Sequence, residues 1–142
     1  MPGTEAEQLK NRVTREIDNL EERLLEIAGR IHATPELNFE ERFAADLIAT
    51  TAEEAGFTVE RPLAGLETAF RATRRGSSDS PTVAFLAEYD ALPGIGHACG
   101  HNLIGTASLG AALGLAAAGE DVPGTVQLIG TPAEEGGGGK II

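Results

Sequence analysis

Residues 82–130 constrain the fold more than any other part of the chain. Residues 82–89 form an almost continuous apolar run, residues 102–118 are small and apolar, and residues 125–130 form a second apolar run. A strand covered on both faces reads as an uninterrupted run of this kind. Small residues over helical length predict a buried helix that approaches a sheet closely. Two strands joined by such a helix predict a parallel β-α-β unit. In open α/β sheets the ligand site lies beyond the carboxyl ends of the strands. The residues to examine for chemistry are therefore those that follow each run and those in the loop entering the helix.

The remaining elements are consistent with one α/β domain over residues 1–142, with no internal repeat or boundary. Thr4 and Glu7 have the spacing of a capping box. Leu9, Val13, Ile17, Leu20, Leu24, Ile27 and Ile31 then recur at steps of 4, 4, 3, 4, 3 and 4, one apolar stripe on a single long helix. Thr34-Pro35 ends it, because the residue before proline avoids helical dihedrals. Asn38 and Glu41 are expected to cap a second helix carrying Phe43, Leu47 and Ile48 and stopping at Gly56. Residues 57–60 and 68–74 read as short strands, and residues 76–81 as a polar turn. The predicted architecture is a mixed sheet containing the parallel unit, flanked by helices.

Composition narrows the class of function. The chain has 42% apolar and 23% charged residues, an ordinary globular balance. Its net charge of −11 argues against nucleic acid, which requires clustered Lys and Arg. The acids are scattered over helix faces that are expected to meet water. A single cysteine cannot form an internal disulfide. The first residues have neither the basic nor the apolar region of a secretory signal. The apolar stretch 103–118 is shorter than the ~20 residues that span a bilayer. A cytoplasmic protein with no membrane partner is expected.

The chemistry concentrates at the places the topology indicates. The loop Gly96-His97-Ala98-Cys99-Gly100-His101-Asn102 holds two of the three histidines and the only cysteine. Asp90 follows the first apolar run, and Glu134-Glu135 follow the second. Thiol, imidazole and carboxylate are the donors of a divalent transition-metal site. Gly100 lets the backbone bend so that Cys99 and His101 both point at one ion. On an extended segment Glu134 and Glu135 would point to opposite sides, one free to bind metal and the other to take a proton. His97 reads equally as a ligand or as a loop-shaping contact outside the ligand set, and His32 as a packing or surface residue. The glycines at 136–139 before Lys140 lack the remaining residues of a phosphate loop. A cysteine hydrolase using Cys99 would leave the glutamate pair unexplained.

At these residues the chain resembles the M20 family of metal-dependent peptidases and amidohydrolases. The resemblance is carried by the run at 87–102, by Gly130-Thr131-Pro132-Ala133-Glu134-Glu135-Gly136, and by Ile31-His32-Ala33-Thr34-Pro35-Glu36-Leu37-Asn38-Phe39-Glu40-Glu41. It is strongest toward the aminobenzoyl-glutamate hydrolase and M20 domain-containing protein 2 dipeptidase branch. It implies a site for two divalent ions, zinc or manganese, with Cys99, His101 and Glu135 as ligands and Glu134 as general base. Asp90 matches the acid of an H-x-D motif that orients a metal-binding histidine, but here Glu88 stands in that histidine's place.

The family's chains are longer and add further histidines and a dimerising lid domain, whereas no histidine follows His101 here. The resemblance therefore implies the N-terminal part of a catalytic domain whose full-length parent is a homodimer, with the strand at 125–130 at an edge that lacks the neighbour the family places there. The expected function is metal-dependent hydrolysis of an amide bond in an N-acyl amino acid, a dipeptide or a related small amide. The alternative is a non-catalytic piece that binds one metal weakly.

Overall fold

The computed structural model describes residues 4–119 and 122–142. Its elements run α1 (Glu5–Asn19), α2 (Glu21–Ala33), α3 (Arg42–Glu54), β1 (Thr58–Glu60), β2 (Phe70–Arg75), β3 (Thr82–Ala87), α4 (His101–Ala117) and β4 (Thr125–Gly130), closing with a 3₁₀ turn at Gly139–Ile141. The sheet order is β1-β2-β4-β3. β4 runs parallel to β3, with Thr82 opposite Thr125 and Ala87 opposite Gly130. It runs antiparallel to β2. The β-α-β unit and the mixed sheet are as expected from the sequence.

The predicted single long helix is two helices. At Leu20 the backbone has φ −92° and ψ −4°, and its N–H donates to the Ile17 carbonyl, three residues back. That tighter turn breaks the α-helical ladder while the apolar stripe continues onto α2. The capping box at Thr4 and Glu7 is present. Both helices lean on α4 through its glycines. A Cβ on Gly110 would come within 2.9 Å of Leu24, and one on Gly114 within 2.6 Å of Ile17.

The predicted caps of α3 also change. Glu36, not Asn38 or Glu41, satisfies its first turn, accepting from the N–H groups of Phe43 at 2.9 Å and Ala44 at 3.0 Å. Glu41 occupies the cap position but makes no side-chain cap bond. Its side chain is wholly buried instead.

Burial alternates along β4, with Val126, Leu128 and Gly130 inside. The core joins Ile27, Ile31, Ile48, Phe57, Phe70, Leu109 and Leu128 between the sheet and its helices. Two expectations about the strands are corrected. β4 lies inside the sheet, because β2 returns antiparallel to cover its second edge. β3 is an outer strand, as β1 is at the other edge, and it is not covered on both faces: Val83 is 42% and Leu86 46% exposed. Long-range pairing decided both, and no local pattern encodes it. Among the described residues, no helix is long and apolar enough to cross a membrane.

Candidate metal centre

The site begins where β3 ends. Tyr89 is fully buried, stacks on Phe70 with ring centroids 6.4 Å apart, and donates its hydroxyl to the Thr68 carbonyl at 2.5 Å. This anchor fixes Glu88 and Asp90 on either side of it. Successive residues on an extended chain face opposite ways, so Glu88 and Asp90 share the face that Tyr89 leaves.

Asp90 is fully buried and uses both carboxylate oxygens. Its Oδ1 lies 2.9 Å from His101 Nδ1, and its backbone carbonyl lies 3.0 Å from the same nitrogen. Both neighbours are acceptors, so Nδ1 carries a proton, which leaves Nε2 as the nitrogen able to bind a metal. Its Oδ2 accepts the N–H of Glu135 at 3.0 Å. Asp90 thereby ties the loop before α4 to the turn after β4. A carboxylate behind a histidine in this way fixes the tautomer and ring orientation of a metal ligand.

Three carboxylates ring the free Nε2: Glu88 at 3.6 Å, Glu134 at 3.7 Å and Glu135 at 4.0 Å. Donor atoms of Cys99, His101 and Glu135 all lie within 4.8 Å of one another, and so do those of Glu88, His101 and Glu134. Two ligands ~2.1 Å from one tetrahedral ion stand ~3.4 Å apart. The donor set thus has the chemistry and nearly the spacing of a divalent cation site. Gly100, between Cys99 and His101, has φ +85° and starts α4 from the left-handed region, as the bend between the two donors requires.

The glutamate pair does not alternate as an extended segment would. Ala133 has φ +56°, and the chain turns immediately after it. That turn brings both carboxylates toward His101. Lys140, from the glycine-rich segment, donates to Glu88 and to Glu134, the latter at 3.4 Å. These bonds, with Glu88 first, raise its pKa.

His97 belongs to neither donor group. It is buried beside Cys99, and its ring nitrogens make no hydrogen bond. Burial first, then the neighbouring His32 and His101, lower its pKa. His32 is exposed, its ring 6.4 Å from that of His97. Glu88 has no assigned role in the sequence-based site, although its place two residues before Asp90 on a strand end was the available signal. Nothing local pointed to Lys140.

No protein-family model matches the chain. It is 46% identical over 156 aligned residues to the Xaa-Arg dipeptidase of Mus musculus, covering 99% of this chain and 36% of that protein. It is 39% identical to one of the subunits of the p-aminobenzoyl-glutamate hydrolase of Escherichia coli, covering 84% of this chain and 28% of that one. Among solved structures, a dinuclear metal-binding peptidase of the M20 family from Bacillus subtilis superposes with a TM-score of 0.74 at 29% identity, over 82% of this chain and 36% of that one. The chain spans about a third of the length of these relatives. Relatives, fold and motifs agree: over most of its length the chain is similar to part of a dipeptidase, an aminobenzoyl-glutamate hydrolase and a dinuclear metal-binding peptidase of the M20 family.

Proposed function

We propose that these residues form the metal-binding part of a hydrolase that cleaves an amide bond in a dipeptide, an N-acyl amino acid or a related small amide. The observation that carries this reading is the imidazole of His101, held by Asp90 at Nδ1 and faced at Nε2 by carboxylates. Cys99, His101 and Glu135 would hold a divalent ion, zinc or manganese. Such an ion lowers the pKa of water and polarises the substrate carbonyl.

The chain's own residues do the rest. Asp90 keeps the His101 proton on Nδ1 and so keeps Nε2 available. It also fixes the backbone of Glu135. Glu134 takes the proton of the attacking water on its carboxylate and passes it to the departing amine. Glu88 and Lys140 complete the charge balance around it.

The names of the relatives support a substrate with a free or acylated amino acid. Turnover belongs to a polypeptide of the relatives' length, because two ions need more donors than this cluster supplies. That longer protein is expected to be a homodimer, which its mass in solution would test. With a single cysteine the sequence gives no sign of an oxidising compartment, which supports a cytoplasmic location.

The test is elemental analysis of the protein after zinc loading and dialysis. Wild type should retain zinc and Cys99→Ala much less. Equal content in both would remove Cys99 from the site.

A further inference from the structure

Glu41 is a charged side chain with no exposure to water, in a region where neither capping nor ligation uses it. Its Oε1 accepts the Ala133 N–H at 2.8 Å, and its Oε2 accepts the Thr68 hydroxyl at 3.1 Å. Thr68 in turn accepts from Tyr89 through its carbonyl. One carboxylate at the start of α3 is thus bonded directly to the turn after β4, and through Thr68 to the segment after β3.

The bond to Ala133 matters most. Ala133 is fully buried and left-handed, with φ +56°. A non-glycine residue is disfavoured there, and such strain persists only where surrounding bonds over-determine it. The carboxylate of Glu41 is the group that fixes the Ala133 N–H. On the other side of the residue, its carbonyl accepts from the N–H groups of Gly137 and Gly138. The conformation at 133 decides where the next two residues, Glu134 and Glu135, point. A buried carboxylate is a poor device for stability, since an apolar side chain of equal volume avoids its desolvation. Burial raises the pKa of Glu41 against the hydrogen bonds that lower it.

We propose that Glu41 is a positioning residue: by holding the Ala133 N–H it sets the left-handed turn that aims Glu134 and Glu135 at the imidazole of His101. This inference rests on the reading of Glu135 as a metal ligand. What the turn needs from residue 41 is an acceptor oxygen at the right reach. Charge is secondary.

The test titrates Co²⁺ into the 142-residue chain, with affinity and absorption spectrum as readouts and circular dichroism as the check of folding. Glu41→Met keeps the volume and removes the acceptor. It should weaken cobalt binding ~10-fold and alter the visible bands, while the near-ultraviolet thiolate band from Cys99 remains. Glu41→Asp keeps the charge but is one methylene too short to reach Ala133, and should behave like Glu41→Met. It also serves if the Met variant does not fold. Glu41→Gln should restore wild-type binding, with its oxygen on the Ala133 N–H and its amide donating to the Thr68 hydroxyl. In Glu41→Met/Glu135→Gln the loss should not exceed that of Glu135→Gln alone, because Glu41 acts through that ligand.

Wild-type affinity and spectrum in Glu41→Met or Glu41→Asp, with Glu135→Gln weakened, would overturn the role of Glu41 alone. Wild-type binding in Glu135→Gln would overturn the ligand reading and this inference with it.

Discussion

Replacing Asp90 with Asn removes almost no volume and still should loosen the metal site. The carboxylate accepts from two donors, His101 Nδ1–H at 2.9 Å and Glu135 N–H at 3.0 Å, with no exposure to water. A carboxamide has one acceptor oxygen, so one of these donors must face an NH₂ group. If the oxygen stays on Glu135, the NH₂ favours the His101 tautomer with the proton on Nε2, which cannot ligate. The Asp90 backbone carbonyl at 3.0 Å opposes that switch, so the expected effect is a weakened site and not an abolished one. If the oxygen turns to His101, the Glu135 backbone loses its anchor. Leaving one buried donor unmet costs ~1–3 kcal/mol, and loss of such outer-shell partners typically lowers metal affinity by ~10–100-fold. The two figures agree, since each factor of ten corresponds to about 1.4 kcal/mol. Competition of the protein with a zinc-responsive chelator at neutral pH, alongside urea unfolding, would read both. Asp90→Asn should show the weaker affinity and lower stability together. Unchanged zinc affinity in a folded variant would refute the reasoning that Asp90 sets the tautomer and anchors Glu135.

Three further outcomes follow from the same geometry. Glu134→Gln, assayed on dipeptides and N-acyl amino acids in a polypeptide of the relatives' length, should keep its metal and lose ~10²–10⁴ of turnover. Loss of metal instead would mean that Glu134 and Glu135 exchange roles. Glu41 has a folded-state pKa raised above 4.5, so its contribution is fully present below the unfolded value and is lost as pH rises through the folded one. Glu41→Gln should therefore gain stability relative to wild type as pH rises from about 4 to 7, read by urea midpoints, and a pH-independent difference would contradict the buried-acid assignment. The exposed apolar outer strand β3 should promote self-association. Size-exclusion chromatography should show less of it in Val83→Lys/Leu86→Lys, and an unchanged profile would place the contact elsewhere.

The parallel unit was legible because its strands and helix are each carried by a local pattern: apolar runs at 82–89 and 125–130, small residues between. β4 matched its expected bounds, Thr125–Gly130, to the residue. Its position inside the sheet was not legible, since pairing with β2 depends on contacts fifty to sixty residues apart in sequence. The break at Leu20 was hidden for a related reason. The apolar stripe crosses it without a change of step, so no local pattern marks the tighter turn at Leu20.

Within the site, Cys99, His101, Asp90, Glu134 and Glu135 could be picked out because strand ends and a glycine-rich loop predict a common location. The backbone device that aims them could not. An acid at position 41 reads as a helix cap, whereas Glu36, seven residues before the first amide it satisfies, does not. The choice between the two is made by the three-dimensional fold, which sends Glu36 to the α3 amides and Glu41 inward to Ala133.

The central claim is that Cys99, His101 and Glu135 hold one ion, and X-ray absorption of the zinc-loaded protein tests it most directly. The account predicts one sulfur at ~2.3 Å with nitrogen and oxygen at ~2.0–2.2 Å, and loss of the sulfur shell in Cys99→Ser. A shell of nitrogen and oxygen alone in the wild type would contradict it.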